Sequence, residues 1–297
     1  MKKFNKIAII DTIKITEEAK EKIQHYSNMR IIYPKFDTKN ETEIYQRINN
    51  ADAALGNWHS TINASILKHT QNLKYIGICG TCLANIDLET IKKHNIIVKN
   101  VTDYGDDATA EYIFAQLLNL FRGFGKHMWK DEPRELYSKI IGIIGLGATG
   151  QKVAQTALGF KMKVLYYSKS RKIEWEKKGV QYSPIDDLLK KSDIVSIHVP
   201  KDTKIIGKYE LEKVGNDKVI IDTCLGNIYK NINAARLWLE NENNFLIRDH
   251  QPEIKEKLGN SKRFIYTENV IAGITAEARE RLSIKVIDNI KAYLKDN

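Results

Sequence analysis

Ile140-Ile141-Gly142-Ile143-Ile144 is an apolar run that breaks into glycines at 145, 147 and 150, and a helical pattern starts near Gln151. Few backbones need glycine at all three of these points. In a strand–turn–helix, Gly145 gives the tight turn, Gly147 lets a pyrophosphate approach the backbone, and Gly150 lets helix and strand pack closely. The phosphates then lie on the helix N-terminus, where unpaired N–H groups and the helix dipole favour an anion. A second strand, 163–167, follows the helix. The segment therefore predicts a dinucleotide-binding unit, with Gly145, Gly147, Ala148, Thr149 and Gly150 against the cofactor.

The end of that second strand selects between cofactors. An acid there would hold the ribose 2′-hydroxyl of NAD. This chain has Ser168-Lys169-Ser170-Arg171-Lys172 instead, with no acid and three cations within four residues. Cations accommodate a 2′-phosphate that an acid would repel. The expectation is preference for NADP(H), with NAD(H) usable, and Ser168, Lys169, Ser170 and Arg171 beside the ribose.

Short apolar runs alternate with amphipathic stretches along the rest of the chain. Residues 7–10, 30–33, 51–55 and 75–79 read as strands. Such alternation predicts parallel sheets with helices on both faces. A long helix is expected over 106–121, with an apolar face of Ala110, Ile113, Phe114, Leu117 and Leu118. A last helix is expected over 275–294, with Ile284, Val286, Ile287, Ile290 and Leu294 as its stripe. A chain of 297 residues suits two domains. The two long helices bracket the central block, so the first domain draws on both chain ends.

Charge and cysteine content exclude several classes. There are 47 basic and 37 acidic residues, a net charge of +10, but the lysines are scattered in pairs. That pattern is a solvated surface rather than a nucleic-acid footprint. No run approaches the ~20 apolar residues of a membrane span. Met1-Lys2-Lys3 is like the start of a signal peptide, yet the following apolar run stops at Asp11. Three cysteines, an odd number, do not make a disulfide framework, and the expected compartment is cytoplasmic. The C-x-x-C of Cys79 and Cys82 reads as small residues in a tight loop, and no metal site is expected.

Several further segments resemble the D-isomer-specific 2-hydroxyacid dehydrogenase family. Gly80-Thr81-Cys82-Leu83-Ala84-Asn85-Ile86-Asp87 is similar to the family's glycine loop and N-I-D, whose amides hold the substrate carboxylate. Ala110-Glu111 is similar to the start of its crossover helix. Leu188-Leu189-Lys190-Lys191-Ser192-Asp193-Ile194-Val195-Ser196-Ile197-His198-Val199-Pro200 resembles its L-L-x-x-S-D-I-V-x-x-H-x-P signature. Ile271-Ala272-Gly273 resembles the return segment. The resemblance implies an α/β fold of two Rossmann-like domains with doubly wound parallel sheets. The dinucleotide-binding domain would be 104–274, and a discontinuous, flavodoxin-like substrate domain 1–103 plus 275–297. It also implies a catalytic cleft between the two, a small-molecule substrate, and a homodimer through the nucleotide domain, where the 110–118 face would lie. His198, Val199, Pro200, Thr223, Cys224 and Asp249 would contact the cofactor.

The family's chemistry uses an Arg on the substrate carboxylate and carbonyl, a His that moves a proton, and a Glu that keeps the His charged. By position, Leu225 stands at the Arg, Val270 at the His and Ile254 at the Glu, with Glu253 one place early. Neither Leu nor Val binds an anion or exchanges a proton. His250 with Glu253, or His59, are the candidate catalytic replacements. Trp58, Thr81, Cys82, Leu83, Leu225 and Val270 are the candidate substrate contacts. Three readings stay open: an NAD(P)H-dependent oxidoreductase acting on an atypical substrate, a catalytically inactive NADP(H)-binding sensor or partner protein, and a conventional 2-keto acid reductase.

Overall fold

The computed structural model describes residues 2–68 and 70–296. The chain divides into two compact units, one running to Tyr104 and resuming at Ala276, the other Gly105–Thr275.

The first unit holds a four-stranded parallel sheet in chain order: β1 (Ile7–Ile9), β2 (Ala53–Gly56), β3 (Tyr75–Ile78) and β4 (Ile97–Asn100). Ile7, Ile9, Leu55 and Tyr75 face the C-terminal helix Ala276–Asp296, while Ala54, Ile76 and Ile78 pack on the opposite side with Ile44 and Ile66. The buried stripe of that helix is Leu282, Val286, Ile290 and Tyr293, with Ile287 beside it. Ile284, expected on the stripe, is 60% exposed, because it lies two residues and about 200° around the helix from 282 and 286.

The expected strand at 30–33 is absent. Ile31 gives its amide to the Gln24 side chain at 2.9 Å rather than to a ladder, and Ile32 stands exposed. Local β propensity lost here to a side chain seven residues away.

The second unit holds seven parallel strands: β5 (Ile140–Ile144), β6 (Lys163–Tyr167), β7 (Val180–Tyr182), β8 (Ile194–Ile197), β9 (Val219–Asp222), β10 (Phe245–Arg248) and β11 (Phe264–Tyr266). Their order is β7-β6-β5-β8-β9-β10-β11. Both faces are buried, as the near-continuous isoleucine and valine runs require. Ile141 and Ile143 pack on one face with helices Asp106–Arg122 and Ala148–Gly159, and Ile140 and Ile144 on the other.

That packing corrects one inference. Of the face expected at a dimer interface, Ala110, Ile113, Phe114 and Leu117 are at most 3% exposed within the chain itself, and Leu118 is half-buried against the same core. They are core of their own unit, so this stripe gives no support to a dimer.

Candidate active site

The strand order reverses at β5. The chain leaves it for β6 and β7 on one side and returns to β8 on the other. Open α/β sheets bind ligands at that switch point, beyond the carboxyl ends of the strands. Gly145 has φ +96°, and a carbon on it would stand 2.0 Å from the His198 carbonyl oxygen, so the turns after β5 and β8 touch backbone to backbone. A carbon on Gly150 would stand 2.1 Å from the Gly145 carbonyl oxygen. Gly150 thus lies inside the helix, which starts at Ala148, three residues earlier than the pattern suggested.

Gly147 differs from these two. A carbon there meets nothing within 4 Å, and Gly147 and Ala148 are exposed. The helix N-terminus behind them has no side-chain cap and no acid in its first turn. An open face against an uncapped helix terminus fits a dinucleotide pyrophosphate. Thr149 brings only its amide to this cradle, since its hydroxyl donates to Asp106.

At the end of β6, Ser168 is half-buried, and Lys169, Ser170 and Arg171 are exposed. Arg171 is not a free cation. Its Nε donates to Glu176 Oε1 at 3.0 Å and its Nη2 to Oε2, and it lies over the Tyr182 ring at 5.2 Å. The Tyr166 hydroxyl donates to the same carboxylate at 2.7 Å and accepts the Lys172 amide at 2.7 Å. The bonds from Arg171 and then Tyr166 hold the Glu176 carboxyl below its ordinary range. No local pattern marked Glu176 as part of this group.

The ends of β8 and β9 are knitted together. Cys224 Sγ donates to the Ile197 carbonyl at 3.1 Å and accepts the Val199 amide at 3.3 Å. Burial pushes the Cys224 thiol up to about 12, and its two bonds tie the turns after β8 and β9 together. Thr223 is half-buried beside it and Pro200 is exposed. His198 Nε2 lies 2.8 Å from Ser196 Oγ, and burial lowers the imidazole to about 4 from 6.5. The folded His198 is therefore neutral near pH 7. The unfolded chain takes up this proton first, so stability is lost as pH falls from 6.5 towards 4, by up to about 3 kcal/mol. Urea unfolding of the wild type and His198→Asn across that range should show a shallower acid decline in the variant.

Leu225 is half-buried and Val270 is 42% exposed. Neither Arg122 nor Arg248 takes the place that Leu225 leaves. Arg122 lies over Phe124 at 5.8 Å. Arg248 is 1% exposed and sits under the loop: it pairs with Asp222, and its Nη2 donates to the carbonyls of Cys224 at 3.1 Å and Gly226 at 2.7 Å and to Gln251. It braces the backbone on both sides of Leu225. Asp249, expected near the cofactor, accepts from the Thr267 hydroxyl at 2.7 Å and the Ile271 and Ala272 amides at 3.2 Å. Its carboxylate thereby fixes the segment that carries Val270.

The expected His250–Glu253 pair is not assembled. His250 Nδ1 meets the Tyr266 hydroxyl at 3.0 Å, while Glu253 is exposed in the first turn of helix Pro252–Leu258. There a carboxylate favours the helix dipole. Ile254, at the family's Glu position, is 1% exposed core.

In the first unit the candidates gather at the carboxyl ends of β2 and β3. Buried Asp11 accepts the amides of Asn57 at 2.9 Å and Ser60 at 3.3 Å, which shapes the loop carrying Trp58 and His59. His59 Nε2 stands 3.3 Å from Asp37 Oδ2, and its ring lies 3.8 Å from that of Trp58. Asn85 Nδ2 donates to the Trp58 carbonyl at 2.6 Å, tying this loop to the one with Thr81, Cys82 and Leu83. Thr81 is exposed, and Cys82 and Leu83 are half-buried. Cys79 and Cys82 are both free, and burial pushes the Cys79 thiol up to about 12. Among the described residues no cluster is placed to hold a metal ion, and no helix is long and apolar enough to cross a membrane.

Comparison with known proteins agrees with this geometry. The model of the D-isomer specific 2-hydroxyacid dehydrogenase NAD binding domain matches residues 115–272. Glyoxylate reductase of Thermococcus litoralis is 30% identical over 277 residues, covering 85% of this chain and 83% of its own. Hydroxypyruvate reductase of Thermotoga maritima is 28% identical over 267 residues, covering 84% and 86%. Among solved structures, an acyclic imino acid reductase in complex with NADPH and D-Arg superposes with a TM-score of 0.83 at 29% identity, over 98% of this chain and 97% of that one. D-lactate dehydrogenase from Aquifex aeolicus shares the fold at 23% identity and a TM-score of 0.80, over 98% of this chain and 95% of that one. A family match across more than half of the chain, and a relative of 30% identity along most of its length, make this chain a member of the D-isomer-specific 2-hydroxyacid dehydrogenase family of oxidoreductases.

Proposed function

We propose that the chain is an NADPH-dependent reductase of a carbon–nitrogen double bond, with an imino acid as substrate in place of a 2-keto acid. The observation that carries this reading is the pair Leu225 and Val270, two apolar side chains where the family sets its cation and its proton donor. A reduced nicotinamide, when bound, supplies a hydride. A keto acid receiving it builds an alkoxide beside its own carboxylate, and that charge needs a cation and a proton. A protonated imine brings both. Hydride adds to its carbon, the C=N electron pair moves to nitrogen, and a neutral amine results with no proton taken from the protein.

Leu225 and Val270 then need only provide an apolar wall. The loop of Thr81, Cys82 and Leu83 offers the carboxylate its amides, as the resemblance implies. The likeness to the imino acid reductase with NADPH and D-Arg supports the same reading. The proposal extends to a homodimer on the resemblance alone, and to the cytoplasm on the odd cysteine count.

The test is NADPH oxidation with a 2-keto acid alone and with the same acid plus excess ammonium or methylamine. Turnover should depend on the amine. Equal rates with and without it overturn the proposal, and tight NADPH binding with no turnover of any imine favours the inactive reading.

A further inference from the structure

We infer that Glu176 sets how strongly this site favours a 2′-phosphate over a 2′-hydroxyl. The inference rests on the reading of the 168–172 loop as the ribose end of the cofactor cradle. The sequence shows cations and no acid at the end of β6, but the fold returns an acid to that place from the short helix Ile173–Glu176.

Two features make Glu176 more than a surface partner of Arg171. The first is its anchorage. The buried Tyr166 hydroxyl donates to it at 2.7 Å and is itself fixed by the Lys172 amide at 2.7 Å. The carboxylate therefore stays when Arg171 turns to another anion. The second is the sharing of Arg171. Two of the five guanidinium donors are spent on Glu176. The remaining donors serve a phosphate, which must then stand near a fixed negative charge. A 2′-hydroxyl meets no such repulsion and gains an acceptor. Glu176 thus lowers the affinity for NADPH and raises that for NADH, so that one pocket accepts both.

Dissociation constants for NADPH and NADH, read from nucleotide fluorescence on the purified chain, test this without turnover. Glu176→Gln keeps an acceptor for Arg171 and Tyr166 but removes the charge. It should tighten NADPH about three- to tenfold and loosen NADH, raising the ratio of the two affinities about tenfold, as expected for relief of a nearby like charge. Arg171→Ala should erase the advantage of NADPH. An unchanged ratio in Glu176→Gln, or a loss of NADPH affinity alone, overturns the inference. A wild type that binds NADH more tightly defeats the NADP(H) preference, while a ratio that still rises in Glu176→Gln sustains the role of Glu176. Thermal melting of both variants separates these outcomes from misfolding.

Discussion

Arg248→Met should destabilise the protein by about 3–5 kcal/mol and lower its melting temperature on the order of 10 °C, the largest stability loss expected of any single change near the site. Arg248 and Asp222 are register partners on neighbouring strands β10 and β9, and they are 1% and 0% exposed. Burial lowers the Arg248 guanidinium to about 10, which leaves it a cation at neutral pH. Its removal strands the Asp222 carboxylate in the interior, and an unpaired buried charge costs far more than a surface pair returns. It also frees the carbonyls of Cys224 and Gly226, the two tethers of the loop around Leu225.

Asp222→Asn added to Arg248→Met should recover most of the loss, because the amide can keep the 2.9 Å bond from the Cys224 amide to Oδ1 without a charge. Urea unfolding of the two single variants and the double variant measures the coupling. A loss below 1 kcal/mol in Arg248→Met, or a double variant no better than the single, would show that the pair does not hold this loop.

The same pair marks where reading the sequence stops. Gly145, Gly147 and Gly150 were legible because their spacing alone marks a strand–turn–helix: the positive φ of Gly145 and the packing of Gly150 on the Gly145 carbonyl are local demands, and Gly147 leaves its face open. Arg248 and Asp222 answer a demand that exists only once β9 lies beside β10 in register. Arg171 with Glu176 and His59 with Asp37 are of the same kind: contacts set by loop shape, with no periodicity to announce them. Periodicity also says that a face is covered without saying by what. Most of the stripe at 110–118 is buried by its own unit, where a partner chain was equally compatible with the pattern. The strand expected at 30–33 failed because apolar content cannot reveal that the Gln24 side chain takes the Ile31 amide.

Glyoxylate and hydroxypyruvate should be reduced slowly, on the order of 10⁴-fold below the best imine substrate. A positioned proton donor is worth about 10²–10⁴ in rate, and a preorganised donor at a developing oxyanion about 10²–10³. Leu225 and Val270 supply neither. Arg248 cannot stand in, since its donors are turned onto Asp222, Gln251 and two backbone carbonyls beneath the loop. Restoring the residues by design gives the sharper measurement. Leu225→Arg with Val270→His should raise glyoxylate turnover by about 10²-fold, more than either change alone, since the two act on one transition state. The gain should stay at the low end of the range, because Ile254 is packed in the core where the family's Glu would keep the new imidazole charged. Steady-state NADPH oxidation with glyoxylate decides it. Rapid turnover by the wild type, or a double variant that loses nothing on imines while gaining nothing on glyoxylate, would mean that these two positions do not face the reacting carbon.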